Sequence, residues 1–521
     1  MAPRLVVLIA VDQLRADLLE VYRPAFRGGL RRLLDDGRWF PNARIAHVPS
    51  NSMPGHVTLA TGMHPRHHGI VDNGFFEFPS DSGAPHYVSA IDDSTERIIG
   101  SAGERGVSPR RLEADGIADW ILARDSASRV VALSQNQYGS LLHAGRGAAR
   151  RAVYWYSPGA GRFVTSSYYG SVAAPWVAAA NADLARVIPG ETLWVSRVPP
   201  EARALALPDS APWENDRKHT TLPHRWPLER IPGWTPTQSE WLYFTPFVDS
   251  LAFALAKRAV TTMQLGRGPA VDYLSIAVGS TDAIGHWYGP RSLEQLDNLL
   301  RLDRDLGAFL EMLDRTVGRE RYVLALGADH GTADVPEAPR APNAVDFGPV
   351  TGGRIADTTI ERLFTELAAA APRRLPPDSA RAIAERVLRA QPFVAAVMRR
   401  SELAESDSAP ADSFVTFYRN GWHPRRVPVG MLSGRAGTLA RFGLVARLQP
   451  GSVDGDEVPT GHGSPYDYDR RVALVLYGAG VPRGRDERPV LTIDVAPTLA
   501  ALAGIAPTRA TDGRPLLDAP R

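Results

Sequence analysis

Four places in this 521-residue chain carry side chains able to hold a divalent cation: Asp12, Asp282 with His286, Asp329 with His330, and His462. Three of them follow short apolar runs, Leu5–Val11, Leu274–Val278 and Tyr322–Leu326, and His462 precedes a fourth, Val472–Tyr477. Each run predicts a buried strand. A strand that ends in Asp or Asp-His delivers those side chains to the carboxyl edge of a parallel sheet, where open α/β sheets place their ligand sites. Three carboxylates and three imidazoles suit zinc and divide naturally between two ions. Such a pair, about 3.5–4 Å apart, clamps the attacking and leaving oxygens of an in-line displacement. Singly, each Asp could cap a helix and each His could be an ordinary core or surface group. The set as a whole points to a hydrolytic metal centre.

Spacing sharpens the grouping. Asp282 and His286 are one helical turn apart and can face one ion. Asp329 and His330 are adjacent at a strand end. His462 sits between Gly461 and Gly463, which let the backbone approach something bulky. A nucleophile is available in Ser52, which opens a helix running through Pro54 toward Thr61 and Gly62. Coordination to one ion and the helix dipole would both lower its hydroxyl pKa; the plain alternative is an N-cap serine. His56, His64, His67 and His68 lie nearby, but Pro65–Gly69 reads as a turn, and these four are left outside the site.

The elements that must position these residues alternate in type. Arg129–Leu133 predicts another buried strand, Gly28–Asp36 a short helix, and Phe247–Val260 and Leu293–Leu313 amphipathic helices. The reading is α/β, a mainly parallel central sheet flanked by helices. From about 148 to 245 Trp and Tyr cluster (Tyr154, Trp155, Tyr156, Trp194, Trp213, Trp226, Trp234) and Pro is frequent, which suggests an inserted cap. A second insertion, with helical stretches at Ile360–Ala369 and Ala380–Leu388, lies between His330 and His462. The expected organisation is core 1–147, cap 148–245, core 246–340, second insertion 341–435 and core 436–521.

Composition excludes several classes. At this length one core plus insertions is expected. No run reaches the roughly 18–20 apolar residues of a membrane span. The absence of Cys removes disulfides and thiolate metal sites. A net charge of +2 is nearly balanced and gives no strong field for nucleic acid or anionic lipid. Only Lys218 and Lys257 are lysines, and arginine pairs such as Arg31-Arg32 and Arg373-Arg374 are scattered. No signal peptide is visible at Leu5–Val11, so the chain is either cytoplasmic or begins after a removed export signal. The oligomeric state is left open.

Together these residues resemble the bimetallo alkaline phosphatase superfamily, above all the phosphate-irrepressible alkaline phosphatases and the nucleotide pyrophosphatase/phosphodiesterases. Val11-Asp12-Gln13-Leu14-Arg15 looks like the first-strand ligand segment, and Ser52-Met53-Pro54-Gly55-His56 like the nucleophile motif, where Thr is usual. His68-Gly69-Ile70-Val71-Asp72-Asn73 fits the segment whose Asn donates to a phosphoryl oxygen. Thr281-Asp282-Ala283-Ile284-Gly285-His286, with Tyr288-Gly289-Pro290 and Asp303 downstream, fits the third ligand segment. Asp329-His330-Gly331 and Gly461-His462-Gly463-Ser464-Pro465-Tyr466 complete the set. The resemblance implies two Zn²⁺ ions, one held by Asp282, His286 and His462, the other by Asp12, Asp329, His330 and the Ser52 oxygen. It also implies a small-molecule phosphoester substrate and a periplasmic or secreted enzyme.

One departure bears on substrate. Phosphatases of this group carry a Lys-x-Arg pair after the strand that ends near Leu133; Asn136, Gln137 and Tyr138 stand there in this chain. Each lost cation contact to phosphate is worth about 1.5–3 kcal/mol. A diester or phosphonate monoester carries one charge less and suits Asn136 and Tyr138 better than a monoester dianion. The expectation is therefore a two-zinc phosphoester hydrolase with a phospho-Ser52 intermediate, leaning to diesters or phosphonate monoesters. The alternatives are an alkaline phosphatase acting on monoesters, or a catalytically impaired protein that binds metal or phosphate.

Overall fold

A computed structural model describes residues 2–517 apart from 79–85, 188–189, 191, 215–218, 227–235, 341–343, 373–374, 405–411, 430–438 and 440–441. Lys218, Trp234 and the Arg373-Arg374 pair lie outside the described residues. The ten strands of the main sheet are β1 Leu5–Val11, β2 Arg38–Trp39, β3 Ile98–Ile99, β4 Val130–Ser134, β5 Arg151–Ser157, β6 Arg162–Ser166, β7 Asp272–Val278, β8 Tyr322–Gly327, β9 Leu474–Gly478 and β10 Gly484–Arg485. Their spatial order is β10-β2-β9-β8-β1-β7-β4-β5-β6-β3. The central five, β8-β1-β7-β4-β5, are parallel.

The helices that matter to the site are α1 Gly29–Asp36, α2 Ser52–Thr61, α3 Gln137–His143, α4 Phe247–Thr262, α5 Ser280–Tyr288, α6 Leu293–Thr316 and α7 Val495–Ala503. Continuous apolar strands such as Leu5–Val11 need cover on both faces, and they have it. Leu5, Val7 and Ile9 share a core with Phe253 of α4 and Leu296, Leu302 and Phe309 of α6. Val6, Leu8 and Ala10 share another with Leu59 of α2 and Val495 and Leu499 of α7. Helix α6 buries residues three and four apart and is capped by Ser292, whose side chain accepts from Gln295 N.

The sheet is mainly parallel, as expected, and two boundaries are corrected. The strand after His462 is antiparallel to β8, with Gly327 opposite Leu474, so the sheet is mixed at its flanks. Its amino end therefore lies at the edge where the parallel strands end. Residues 151–166, expected to begin the cap, form β5 and β6 of the main sheet. Tyr154 and Tyr156 enter one core and Trp155 another, the alternation of a strand buried on both faces. The aromatic cluster that suggested a lid is there strand composition.

The second insertion extends past 435. Arg354–Ile355 pairs with Val453–Asp454, Val394–Arg399 pairs with Leu444–Leu448, and Leu363, Phe364, Leu388, Phe442 and Leu444 form their own core with two helices, Asp357–Ala370 and Pro377–Arg389. A separate three-stranded sheet, Gly74–Glu77 with His86–Ser89 and Arg426–Pro428, joins an excursion of the first core segment to this insertion. No helix among the described residues is long and apolar enough to cross a membrane.

Candidate metal centre

Asp12, the Asp329-His330 pair and α5 all stand beyond the carboxyl ends of β1, β8 and β7. Three local devices aim them. Asp249 of α4 accepts from Gly279 N and Ser280 N, both at 3.2 Å, which anchors the first turn of α5. Gln295 and Asn298 of α6 donate to the Thr281 carbonyl (2.7 Å) and hydroxyl (3.0 Å), fixing the turn that carries Asp282. Helix α2 lies so close to the end of β8 that a Cβ on Gly55 would strike the Asp329 carbonyl.

The inner group is Asp12, Asp329, His330 and Ser52, each at most 5% exposed. His330 Nε2 is 3.1 Å from Ser52 Oγ, 3.2 Å from Asp12 Oδ1 and 3.5 Å from Asp329 Oδ2. The outer group is Asp282, His286 and His462, with Asp282 Oδ1 at 3.1 Å from His286 Nε2 and 3.8 Å from His462 Nε2. Side-chain exposures of 20%, 23% and 11% place this group at the mouth of the site. The rings of His330 and His462 stack at 3.7 Å and join the two groups. Asp282, His330 and His462 also form one cluster of potential ligand atoms, and Asp12, His56 and Asp329 another.

The donor set fits divalent metal. In a tetrahedral site with bonds of about 2.0–2.1 Å, ligand atoms stand about 3.3 Å apart, close to the spacings around His330. Asp12 Oδ1 and Asp329 Oδ2 are buried and bonded to nothing, both turned into the cluster. His286, His330 and His462 rest Nδ1 on the carbonyls of Thr460 (2.9 Å), Gly331 (2.8 Å) and Ser50 (3.0 Å). A carbonyl only accepts, so each Nδ1 carries a hydrogen and each Nε2 is the nitrogen left to face an ion, the arrangement of metal-binding imidazoles. Charge fits as well. Burial would raise the Asp12 carboxyl, but His330 and His56 hold it well below the usual range. Burial lifts the Asp329 carboxyl to about 7, with Asp12 adding to the rise. Burial opposes a charge on His330, yet Asp329 and Asp12 raise it to about 10. His330 thus holds a proton among carboxylates, a charge a divalent ion would replace.

The remaining residues are placed as follows. Ser52 is the first residue of α2, not its cap; Asn51 precedes it, and the Ser52 hydroxyl faces His330 instead. Asn73 Oδ1 accepts from Met53 N (2.8 Å), which fixes the amide beside the start of α2. Asn136 caps α3 by accepting from Gly139 N (2.9 Å). Tyr138 donates its hydroxyl to Asp12 Oδ2 (2.9 Å), so it contacts a carboxylate of the inner group. Asp303 stands apart from both groups: it accepts from the backbone N–H of Arg27 (2.7 Å), Gly28 (2.6 Å) and Arg31 (3.1 Å) and caps α1.

Two residues escaped the sequence reading. His56, set aside with the turn histidines, lies in α2 one turn after Ser52, with Nε2 at 3.5 Å from Asp329 and 3.7 Å from Asp12. The i+4 spacing from Ser52 was the available signal. Gln13 bridges both groups, its N–H donating to Asp329 (3.1 Å) and its amide to Asp282 (2.6 Å). Its φ of +65° is a strained conformation for a residue with a side chain, and nothing in the sequence announces it.

Residues 6–438 match the family model for type I phosphodiesterase / nucleotide pyrophosphatase. The chain is 28% identical to alkaline phosphatase PafA of Elizabethkingia meningoseptica over 99% of this chain and 94% of that one. It is 30% identical to a protein of Myroides odoratus named a calcium-transporting ATPase, with the same coverage. The crystal structure of wild-type PafA superposes with a TM-score of 0.84 at 27% identity, covering 99% of this chain and 98% of that one. The chain belongs to the type I phosphodiesterase / nucleotide pyrophosphatase family, and with it to the phosphoester hydrolases of the alkaline phosphatase superfamily.

Proposed function

We propose that the protein is a two-zinc hydrolase that transfers a phosphoryl or phosphonyl group to Ser52 and then to water. The observation that carries this reading is a buried serine hydroxyl on His330 Nε2, with the bare Asp12 Oδ1 and Asp329 Oδ2 facing the same nitrogen. Asp12, Asp329, His330 and Ser52 would hold the inner zinc, and Asp282, His286 and His462 the outer. When bound, the ions supply Lewis-acid polarisation of the phosphorus centre and neutralise charge on the in-line transition state.

The chain's own residues do the rest. Ser52 Oγ gives up its proton to solvent and forms a bond to phosphorus as the ester oxygen leaves and takes up a proton from solvent. Water then attacks the phosphoserine, releasing the acid product and restoring the hydroxyl. The start of α2 adds its dipole at the attacking oxygen. Asn73, its Oδ1 pinned by Met53 N–H, turns its NH₂ to a non-bridging oxygen. Gln13 holds Asp282 and Asp329 in fixed relation.

The substrate class follows from Asn136 and Tyr138. Among the described residues no arginine or lysine bonds the carboxylates of Asp12, Asp282 or Asp329, and both positions that are cationic in monoesterases are neutral. The pocket favours a singly charged phosphodiester or phosphonate monoester over a dianion. The similarity to alkaline phosphatase PafA over nearly the whole chain favours the second reading, a phosphomonoesterase. Export from the cytoplasm accompanies either.

Comparing kcat/KM for an aryl phosphate, its methyl diester and an aryl methylphosphonate separates the two. The diester or phosphonate is expected to lead, and a large monoester preference refutes the assignment. Ser52→Ala is expected to abolish turnover in a folded, zinc-loaded protein; hydrolysis at the wild-type rate would remove the covalent route.

A further inference from the structure

Behind the inner group stands a buried chain that the mechanism above does not use. His56 Nδ1 lies 3.1 Å from His143 Nε2, and His143 Nδ1 lies 2.6 Å from Ser275 Oγ. The three side chains come from α2, α3 and β7, and each is at most 1% exposed. The other end of the chain, His56 Nε2, faces Asp329 Oδ2 and Asp12 Oδ2 and has no other partner.

The order of hydrogens along this chain is restricted. His286, His330 and His462 are fixed as Nδ1–H by carbonyls, but His56 and His143 each face a group that can donate or accept. A neutral imidazole has one N–H and one lone pair, and burial, with His56 beside it, keeps His143 neutral. Burial disfavours a charge on His56 while Asp329 and Asp12 favour it; a cationic His56 would donate from both nitrogens, and a neutral one leaves two orders. In one, the Ser275 hydroxyl donates to His143 Nδ1, His143 Nε2–H donates to His56 Nδ1, and His56 Nε2–H points at the carboxylates. In the other every hydrogen is reversed, and a lone pair on His56 Nε2 faces carboxylate oxygens. Asp12 already divides its oxygens: Oδ2 receives the Tyr138 hydroxyl and stands toward His56, whereas Oδ1 is bare and stands toward His330. That division suits donors outside and an ion inside.

We propose that the first order holds: His56 is a positioning residue whose Nε2–H steadies Asp12 and Asp329 for the inner ion, and His143 and Ser275 set its tautomer. The inference rests on the inner metal site proposed above. Partners of this kind are worth about 10–100-fold in metal affinity.

Long-range ¹H–¹⁵N spectra of zinc-loaded, ¹⁵N-histidine-labelled wild type read the tautomer directly. The expected result is His56 protonated at Nε2 and bare at Nδ1; hydrogen on both nitrogens overturns the proposal, and so does the opposite tautomer, which makes His56 a ligand. Zinc competition with a chelator supplies a second readout. His143→Leu should weaken the tighter-held inner zinc about 10–100-fold, and His143→Gln, whose amide can still donate to His56 Nδ1, should recover most of the loss. Unchanged affinity in His143→Leu, or no recovery in His143→Gln, overturns it. If His143→Leu does not fold, the wild-type spectrum decides. A wild type that takes up no zinc defeats the metal-centre reading, and the His56 tautomer in that same sample still judges the chain.

Discussion

His330 is where the chemistry of the site is most concentrated. Its Nε2 is within 3.5 Å of a serine hydroxyl and two carboxylates, and those carboxylates lift its pKa to about 10 after burial has opposed them. A divalent ion seated there would have to displace that proton. Zinc binding at pH 7 is therefore expected to release at least one proton, and affinity should climb as pH rises toward about 10. Calorimetry in buffers of different ionisation enthalpy measures this; proton-neutral binding contradicts it. Without zinc the sign reverses. A raised imidazole pKa adds stability that is complete below about 6.5 and fades as pH rises through about 10. A second residue-level test concerns substrate choice. Restoring the cations with Asn136→Lys and Tyr138→Arg should shift kcat/KM toward monoesters by at least tenfold, since each contact is worth about 1.5–3 kcal/mol. No shift would show that these two positions do not set the preference.

At the scale of elements, α2 decides whether Ser52 meets the inner group. Its approach to β8 depends on Gly55, because any Cβ there meets backbone of Asp329 and not a movable side chain. Gly55→Ala is expected to cost about 1–3 kcal/mol of stability and, by shifting Ser52 on the order of an ångström, about 10²-fold in kcat. Wild-type kinetics in that variant would contradict the packing account. Six ligand-type residues could be read from the chain because each borders an apolar run or a helical turn. His56 carried one signal, its i+4 spacing from Ser52, which grouping it with His64, His67 and His68 obscured. The end of the second insertion was equally hidden. Val394–Arg399 and Leu444–Leu448 are joined only by tertiary pairing.

At the scale of the molecule, the edge of the sheet is tied together by buried charge. Arg15 pairs with Asp17 (2.9 Å) and Asp334 (2.6 Å), and Arg291 reaches the same Asp17 (2.6 Å). These residues follow β1, precede α6 and follow β8, so one network spans three of the segments that carry the site. Asp17→Asn would leave the buried Arg15 and Arg291 guanidinium groups to share Asp334 and is expected to cost about 1–3 kcal/mol, read as a lower urea midpoint. An unchanged midpoint would show the network to be dispensable. The expected cap boundary failed at this scale too. Tyr154, Trp155 and Tyr156 are buried by neighbours on both faces of the sheet, and composition alone does not distinguish that from a lid.

The central claim is that side chains distant in sequence seat a pair of divalent cations beside Ser52, and counting zinc tests it most directly. Chelator-stripped protein titrated with Zn²⁺ and analysed for metal is predicted to take up two equivalents per chain, falling to one in Asp282→Ala with His286→Ala. A folded, active wild type that binds no zinc, or a double variant that still holds two, contradicts it.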